Sequence, residues 1–381
     1  MHYLDHAATT PVMPEVAEAM LRVYQGEYGN PSSVHAFGRQ ARELVEDARD
    51  RVAAAIGASP AEVVFTGSGT EADNLALKGA ASKLRGSGNH IVTSTFEHHA
   101  VLDTIEWLEK GDFDVAWVAV TPEGIVEPDA IVAACTPRTI LVSVMAVNNE
   151  IGTVQDLAGI AAAAKDANRN LVVHTDAVQA LGNIPVDVSA SGVDLAAFSA
   201  HKLGGPKGVG ALFVRSGIPL EALIHGGGHE RGLRSGTLNV AGIVGFGVAA
   251  EIAAKEVHEK AERVAKMRDR LLEGVRTIVP DVVVNGHLER RVPGNLHISV
   301  PGARGETLLL LLDDAGIAVS TGSACQSGAI DPSHVLLALG REPELADGSI
   351  RFSLGRASTD ADVDAVLDAL PRVVERARKA A

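Results

Sequence analysis

Ser199-Ala-His-Lys202-Leu-Gly-Gly-Pro-Lys-Gly208 continues the apolar run Asp194-Leu-Ala-Ala-Phe-Ser199, so the two together read as a strand ending in a tight glycine turn that carries a lysine. Open α/β sheets bind ligands at strand ends and in the loops that follow them. A lysine there can condense with a carbonyl cofactor, because lysine is the side chain that forms Schiff bases. A lysine in a Gly/Pro turn is also an ordinary solvated loop charge, and this stretch alone does not separate the two readings. Around it, strand-like runs at 63–66, 90–94, 115–120, 140–145, 171–174, 195–199 and 209–214 alternate with Ala-rich helical stretches. That alternation predicts an α/β fold with a mostly parallel sheet. A long charged helix at 249–278 then bridges to a second unit, with strands at 282–284, 295–300 and 350–354, a helix at 306–314 and a final helix after Asp360.

Leu171-Val-Val-His174-Thr-Asp176-Ala-Val-Gln179 reads as a buried strand ending in a carboxylate, with an amide three residues on. Asp176 suits pairing with a protonated pyridine nitrogen, which makes pyridoxal phosphate (PLP) an electron sink, and Gln179 can donate to the ring's phenolate oxygen. Capping a following helix is the other role open to such an Asp. Val63-Val-Phe-Thr-Gly-Ser-Gly69-Thr70-Glu-Ala-Asp-Asn74 adds a strand, a Gly/Ser/Thr turn and a helix start, where free N–H groups and the helix dipole favour a phosphate. It lacks the third Gly of a dinucleotide fingerprint and the Gly-Lys-Ser/Thr of a P-loop. Of the two cysteines, Cys135 lies in the apolar Ile131-Val-Ala-Ala-Cys135 and reads as a small buried hydrophobe. Cys325, in Gly322-Ser-Ala-Cys325-Gln-Ser-Gly328, stands on a small-residue loop where a nucleophilic thiol can be exposed.

Ten blocks in one order extend these signals. They are Tyr3-Leu-Asp-His-Ala-Ala-Thr-Thr10, Gly29-Asn-Pro-Ser-Ser33, Gly69-Thr70-Glu71, Glu97-His98, Val147-Asn-Asn-Glu-Ile-Gly152, His174 to Gln179, Ser199 to Gly208, His225-Gly-Gly-Gly-His-Glu-Arg231, Arg234-Ser-Gly-Thr237 and Gly322-Ser-Ala-Cys325. With them the chain resembles the NifS/IscS-type cysteine desulfurases of the class V aminotransferase group over nearly its whole length. The resemblance implies fold type I of the PLP-dependent transferases: a large α/β domain at 15–254, and a smaller α+β domain from 1–14 and 255–381 carrying the Cys325 loop. It implies that Lys202 holds PLP in a Schiff base, His98 stacks on the ring, and Asp176 and Gln179 contact its nitrogen and phenolate oxygen. Thr70, Ser199 and His201 would hold the phosphate, Gly69 and Asn149 would belong to the cofactor site, and Thr237 would reach the phosphate of the partner subunit. Asn30, Asn149 and Arg351 would receive the substrate carboxylate, a task suited to a planar guanidinium fork. The implied reaction takes sulfur from L-cysteine: Lys202 and His98 move protons, Cys325 attacks the sulfur, and alanine and a Cys325 persulfide result. The implied active unit is a homodimer with shared sites, passing sulfur to an acceptor protein for iron–sulfur cluster assembly or tRNA thiolation.

Composition agrees. A length of 381 residues suits one large and one smaller domain, and a formal charge of −14 disfavours nucleic acid and anionic membranes as partners. There is no signal segment or transmembrane-length apolar run, and two cysteines give no disulfide framework, so a reducing cytoplasm is the expected compartment. His225-x-x-x-His229, near His174 and Asp176 in sequence, can be drawn as a metal site, but Gly226-Gly-Gly228 will not hold a helical ligand pair, and no metal is expected. The chain ends at Arg376-Ala-Arg-Lys-Ala-Ala381, where scaffold-feeding family members often carry a longer docking tail, so the acceptor stays open between a scaffold and a thiolation relay.

Overall fold

The apolar runs pair into sheets in a computed structural model that describes residues 1–321 and 332–380; Cys325 lies outside the described residues. In chain order the strands are β1 (His2–Tyr3), β2 (Val63–Thr66), β3 (His90–Ser94), β4 (Asp114–Val118), β5 (Thr139–Ser143), β6 (Val172–Asp176), β7 (Leu195–Ser199), β8 (Gly210–Val214), β9 (Val283–Asn285), β10 (Asn295–Ser299), β11 (Ile317–Ala318) and β12 (Ser349–Ser353). The large sheet has the order β2-β8-β7-β6-β5-β3-β4. It is parallel from β7 to β4, while β8 runs antiparallel to both its neighbours. Helices cover both faces, so β3, β5, β6 and β7 are buried along their whole length and read as unbroken apolar runs instead of alternating ones. Three of the seven strands have the bounds read from sequence, and the others shift by one or two residues at an end.

The long helix is the larger departure. It spans Val240–Ile278, beginning nine residues before the 249 expected from sequence. Gly242, Gly245 and Gly247 hide its first turns from a propensity reading. A Cβ at Gly247 would lie 2.7 Å from the Ala48 Cα, so the glycine permits close packing on helix Ala36–Ile56. The helix enters two cores. Ile243, Phe246, Ala249 and Ala250 pack with the large sheet. Val264, Met267, Leu271 and Val275 pack with β10, β12 and helix Asp360–Ala380.

The first thirteen residues run between these cores. β1 pairs with β11, Leu4 is buried in the second core, and Asp5 bridges to Ser353 on β12. The chain then reaches the large sheet, where the Thr10 N–H donates to the His201 carbonyl at 3.0 Å and the Met13 N–H to the Gly204 carbonyl at 2.9 Å. The segment thus passes directly over the turn that follows β7.

Candidate active site

Three strand ends converge beneath that segment. After β7, a single 3-10 turn, Ala200–Lys202, lifts the lysine off the sheet. Lys202 Nζ donates to the carbonyls of Ala7 at 2.6 Å and Ala8 at 2.8 Å. Gln179 Nε2 donates to the same Ala7 carbonyl at 2.9 Å, which brings the amine and the amide predicted for one cofactor to one point. Both line a cleft of about 450 Å³ together with Asn149. Lys207, the neighbouring alternative, is exposed.

Asp176 closes β6 with 5% of its surface exposed. It caps no helix. The turn after β6 is short, and the carboxylate accepts the Val178 N–H at 2.9 Å. Burial raises its pKa, against the pull of the nearby His98 and Lys202. His98 stands at the N-cap of helix His99–Glu109, where its Nδ1 accepts the Ala100 N–H at 3.1 Å. That bond leaves the proton of the neutral ring on Nε2. Burial lowers the His98 pKa, opposed by Asp176, so the neutral form prevails at pH 7.

Two further acids stand behind Asp176, and sequence reading gave neither a role. Glu97 is fully buried, takes the Ser94 hydroxyl at 2.5 Å and the Met145 N–H at 2.9 Å, and is pushed by burial up to about 8. Asp73 is 1% exposed, and burial, with Asp176 and Glu97 adding, drives it well above the usual carboxylate range. Its Oδ1 lies 3.3 Å from Nε2 of His174, whose Nδ1 meets the Ser143 hydroxyl at 2.9 Å. Burial lowers His174 to about 3, so its ring is neutral at pH 7, and burial likewise works against the charged form of Asp73. Burial thus works against a charge on Asp73 and Glu97 with no cation beside them to oppose it, whereas at Asp176 the nearby His98 and Lys202 favour the charged form.

The phosphate candidates gather at the next strand end. Ser68 caps helix Gly69–Leu84 by accepting the Glu71 N–H at 3.0 Å. A Cβ on Gly69 would meet Val178 Cγ2 at 2.7 Å and Ser199 Cβ at 3.3 Å, so the helix start, the end of β7 and the turn after Asp176 touch through that glycine. Ser199 is buried and Thr70 exposed. His201 Nδ1 sits 3.1 Å from Thr9 Oγ1, and burial with Lys202 and Lys207 lowers it to about 4. Arg234 Nε donates to Glu71 Oε1 at 2.8 Å, which ties the loop bearing Thr237 to the same helix start.

Arg351, on β12, is 2% exposed. Its Nη1 donates to the Asn149 carbonyl at 2.7 Å and its Nη2 to Asp5 Oδ1 at 2.8 Å. Asn148 shapes the turn that presents Asn149, since its Oδ1 accepts the N–H groups of Glu150 at 2.9 Å and Ile151 at 3.0 Å. Asn30 and Thr237 are exposed and do not line the cleft. Cys135 ends helix Pro128–Ala134, half-buried, with its thiol pKa raised by burial.

Comparison with known proteins gives a consistent result. The class-V aminotransferase family, which is PLP-dependent, matches residues 2–366. A cysteine desulfurase IscS of Dictyoglomus turgidum is 48% identical, with 99% of this chain and 95% of the relative covered. One from Anaeromyxobacter dehalogenans is 50% identical over 99% and 93%. A solved NifS-like protein superposes with a TM-score of 0.93 at 41% identity, covering 99% of this chain and all of the other. SspA in complex with cysteine gives 0.82 at 33% identity, over 94% and 100%. With this agreement over its full length, the chain belongs to the class-V aminotransferase family and, within it, to the cysteine desulfurases.

Proposed function

We propose that the chain removes sulfur from L-cysteine with PLP held on Lys202, giving alanine and a persulfide on Cys325. The observation that carries this reading is the meeting of Lys202 and Gln179 at the Ala7 carbonyl, beside a buried Asp176. The residues fit the cofactor: a half-buried amine, a carboxylate at a strand end for the ring nitrogen, an amide for the phenolate, and at Gly69 a helix start too close to Val178 for a side chain. When bound, PLP supplies the electron sink that weakens the bonds of the substrate carbon skeleton. Asp176 would hold a proton on the ring nitrogen, and the burial that raises Asp73 and Glu97 disfavours a second negative charge behind it. Lys202 Nζ would take the Cα proton, and His98 would offer its Nε2 proton. The Cys325 thiolate attacks the substrate sulfur. An S–S bond forms, the C–S bond breaks, its electron pair stays with carbon, and a proton completes alanine.

Asn149 and Arg351 would receive the substrate carboxylate together with Asn30, and Thr70, Ser199 and His201 the phosphate. The chain would divide into a large domain at 15–254, whose residues dominate the clusters on the large sheet, and a small one from 1–14 and 255–381, which holds the separate cluster around β10 and β12 and lends Met13, Val292 and Val335 to the large-sheet core. The working unit is a homodimer in which Thr237 completes the partner's phosphate site, and the persulfide passes to an acceptor protein of iron–sulfur assembly or tRNA thiolation. No helix among the described residues is long and apolar enough to cross a membrane, and a cytoplasmic location completes the reading. Borohydride reduction of the PLP-loaded protein, followed by peptide mapping, tests the assignment. The pyridoxyl group is expected on Lys202 and absent from Lys202→Ala, whereas its appearance on Lys207 overturns the reading.

A further inference from the structure

Arg351 does not stand alone. Of its three nitrogens, Nη1 is taken by the Asn149 carbonyl, Nη2 by the Asp5 carboxylate, and Nε is buried without a partner among the described residues. Asp5 is itself fixed by backbone pairing. It bridges to Ser353, the Ser353 N–H donates to the Leu4 carbonyl at 2.7 Å, and the His6 N–H to the Ser353 carbonyl at 3.2 Å. The Tyr3 hydroxyl closes the turn by donating to the carbonyls of Asp5 at 3.0 Å and Thr9 at 2.8 Å. The carboxylate is therefore presented by a segment zipped onto the strand that bears the arginine.

A single bond from Nη1 lets a guanidinium pivot, whereas two bonds on different nitrogens fix its plane. A carboxylate is held in two places only by a fork lying in its own plane. We propose that Asp5 is a positioning residue, setting the plane in which Arg351 receives the α-carboxylate of the substrate. The inference rests on Arg351 being the carboxylate site. Asp5 also bears a negative charge close to the incoming one, so simple charge competition predicts the opposite sign: neutralising Asp5 would tighten carboxylate binding. Orientation and competition are thus separable by direction.

The experiment uses the PLP-loaded enzyme and compares L-alanine binding by calorimetry with L-cysteine and cysteamine, the latter lacking the carboxylate. Asp5→Asn is expected to weaken L-alanine binding and raise KM for L-cysteine by about tenfold, the scale of one charge-assisted bond, with kcat kept within about twofold and the cofactor absorbance response to cysteamine unchanged. Asp5→Glu, which keeps the charge on a longer arm, is expected to recover part of the affinity and stands in if Asp5→Asn fails to fold. Unchanged or tighter L-alanine binding in the folded variant overturns the proposal, as does an equal loss with cysteamine. Arg351→Gln separates the two levels. If it binds L-alanine like wild type, the carboxylate site is misassigned, whereas if it loses binding and Asp5→Asn does not, only the role of Asp5 fails.

Discussion

Glu97 shows how a single buried carboxyl leaves a mark on the pH dependence of the whole chain. Its ordinary value near 4.5 is raised by burial to about 8. Between those values the folded protein keeps a proton that the unfolded chain has released, so its contribution to stability is full below 4.5 and is lost as pH rises towards 8. His174, lowered by burial from 6.5 to about 3, acts in the other direction: its contribution is full above 6.5 and is lost as pH falls towards 3. One such group costs about 1.4 kcal/mol per pH unit inside its window. Glu97→Gln can still accept from Ser94 and Met145 but cannot ionise. Between pH 6 and 8 it should lose roughly 2 kcal/mol less stability than wild type, read from urea midpoints; an identical slope would place the titration elsewhere. Lys202, Asp176 and Gln179 were legible in sequence because a polar residue ending an apolar run stands out. Glu97 lies beside His98 in an equally quoted block, yet its depth, which decides its chemistry, comes from β5 and the loop after it, about 50 residues away. Asp73 and His174 meet only through the packing of a helix on β6, for which no local pattern exists.

At the scale of elements, apolar runs disclosed the strands because both sheet faces are covered, while the first nine residues of the helix Val240–Ile278, which pack through glycines, escaped notice. The loop at 223–237 was legible only as a run of matching letters. Glu230 accepts both Arg49 Nη1 and Nη2 at 2.8 Å, with a third bond from the Phe65 N–H at 2.7 Å. Glu230 and Arg231 adopt left-handed backbone, with φ of 49° and 57°, so the anchor holds a conformation that non-glycine residues disfavour. Glu230→Ala leaves the buried Arg49 cation with only the exposed Glu46 carboxylate to pair it, and should destabilise the protein by about 3 kcal/mol. Calorimetric melting checks the magnitude. Hydrogen exchange should rise first in residues 223–237 and in β2, whose Val63 carbonyl accepts from Arg49 and Arg231; uniform exchange across the large sheet would show that the pair anchors no particular element.

For the whole molecule, the proposed dimer makes a quantitative prediction. If Thr237 serves the partner's phosphate, losing its hydroxyl costs roughly 1.5–3 kcal/mol, and Thr237→Asp costs more by setting an anion against the phosphate. Mixed with Lys202→Ala under exchange, half the dimers are hybrids with one intact site each, so activity should return towards a quarter of wild type. Verified hybrids without activity would show that Thr237 does not act across the interface. Sequence reading reaches this level only through the family resemblance, since an exposed threonine carries no local sign of a partner subunit. The opening segment has a consequence for biogenesis as well. Ala7, whose carbonyl meets Lys202, gives its N–H to the Ser353 hydroxyl, 346 residues later. At about 5–20 residues per second, a ribosome takes roughly 20 to 70 s to make that stretch. Throughout this interval the nascent chain can assemble its large sheet around an unfinished lysine pocket, with its earliest residues waiting for β12, the last strand described. The lysine pocket thus takes its final geometry only after residue 353 has joined the fold, long after the lysine itself has been made.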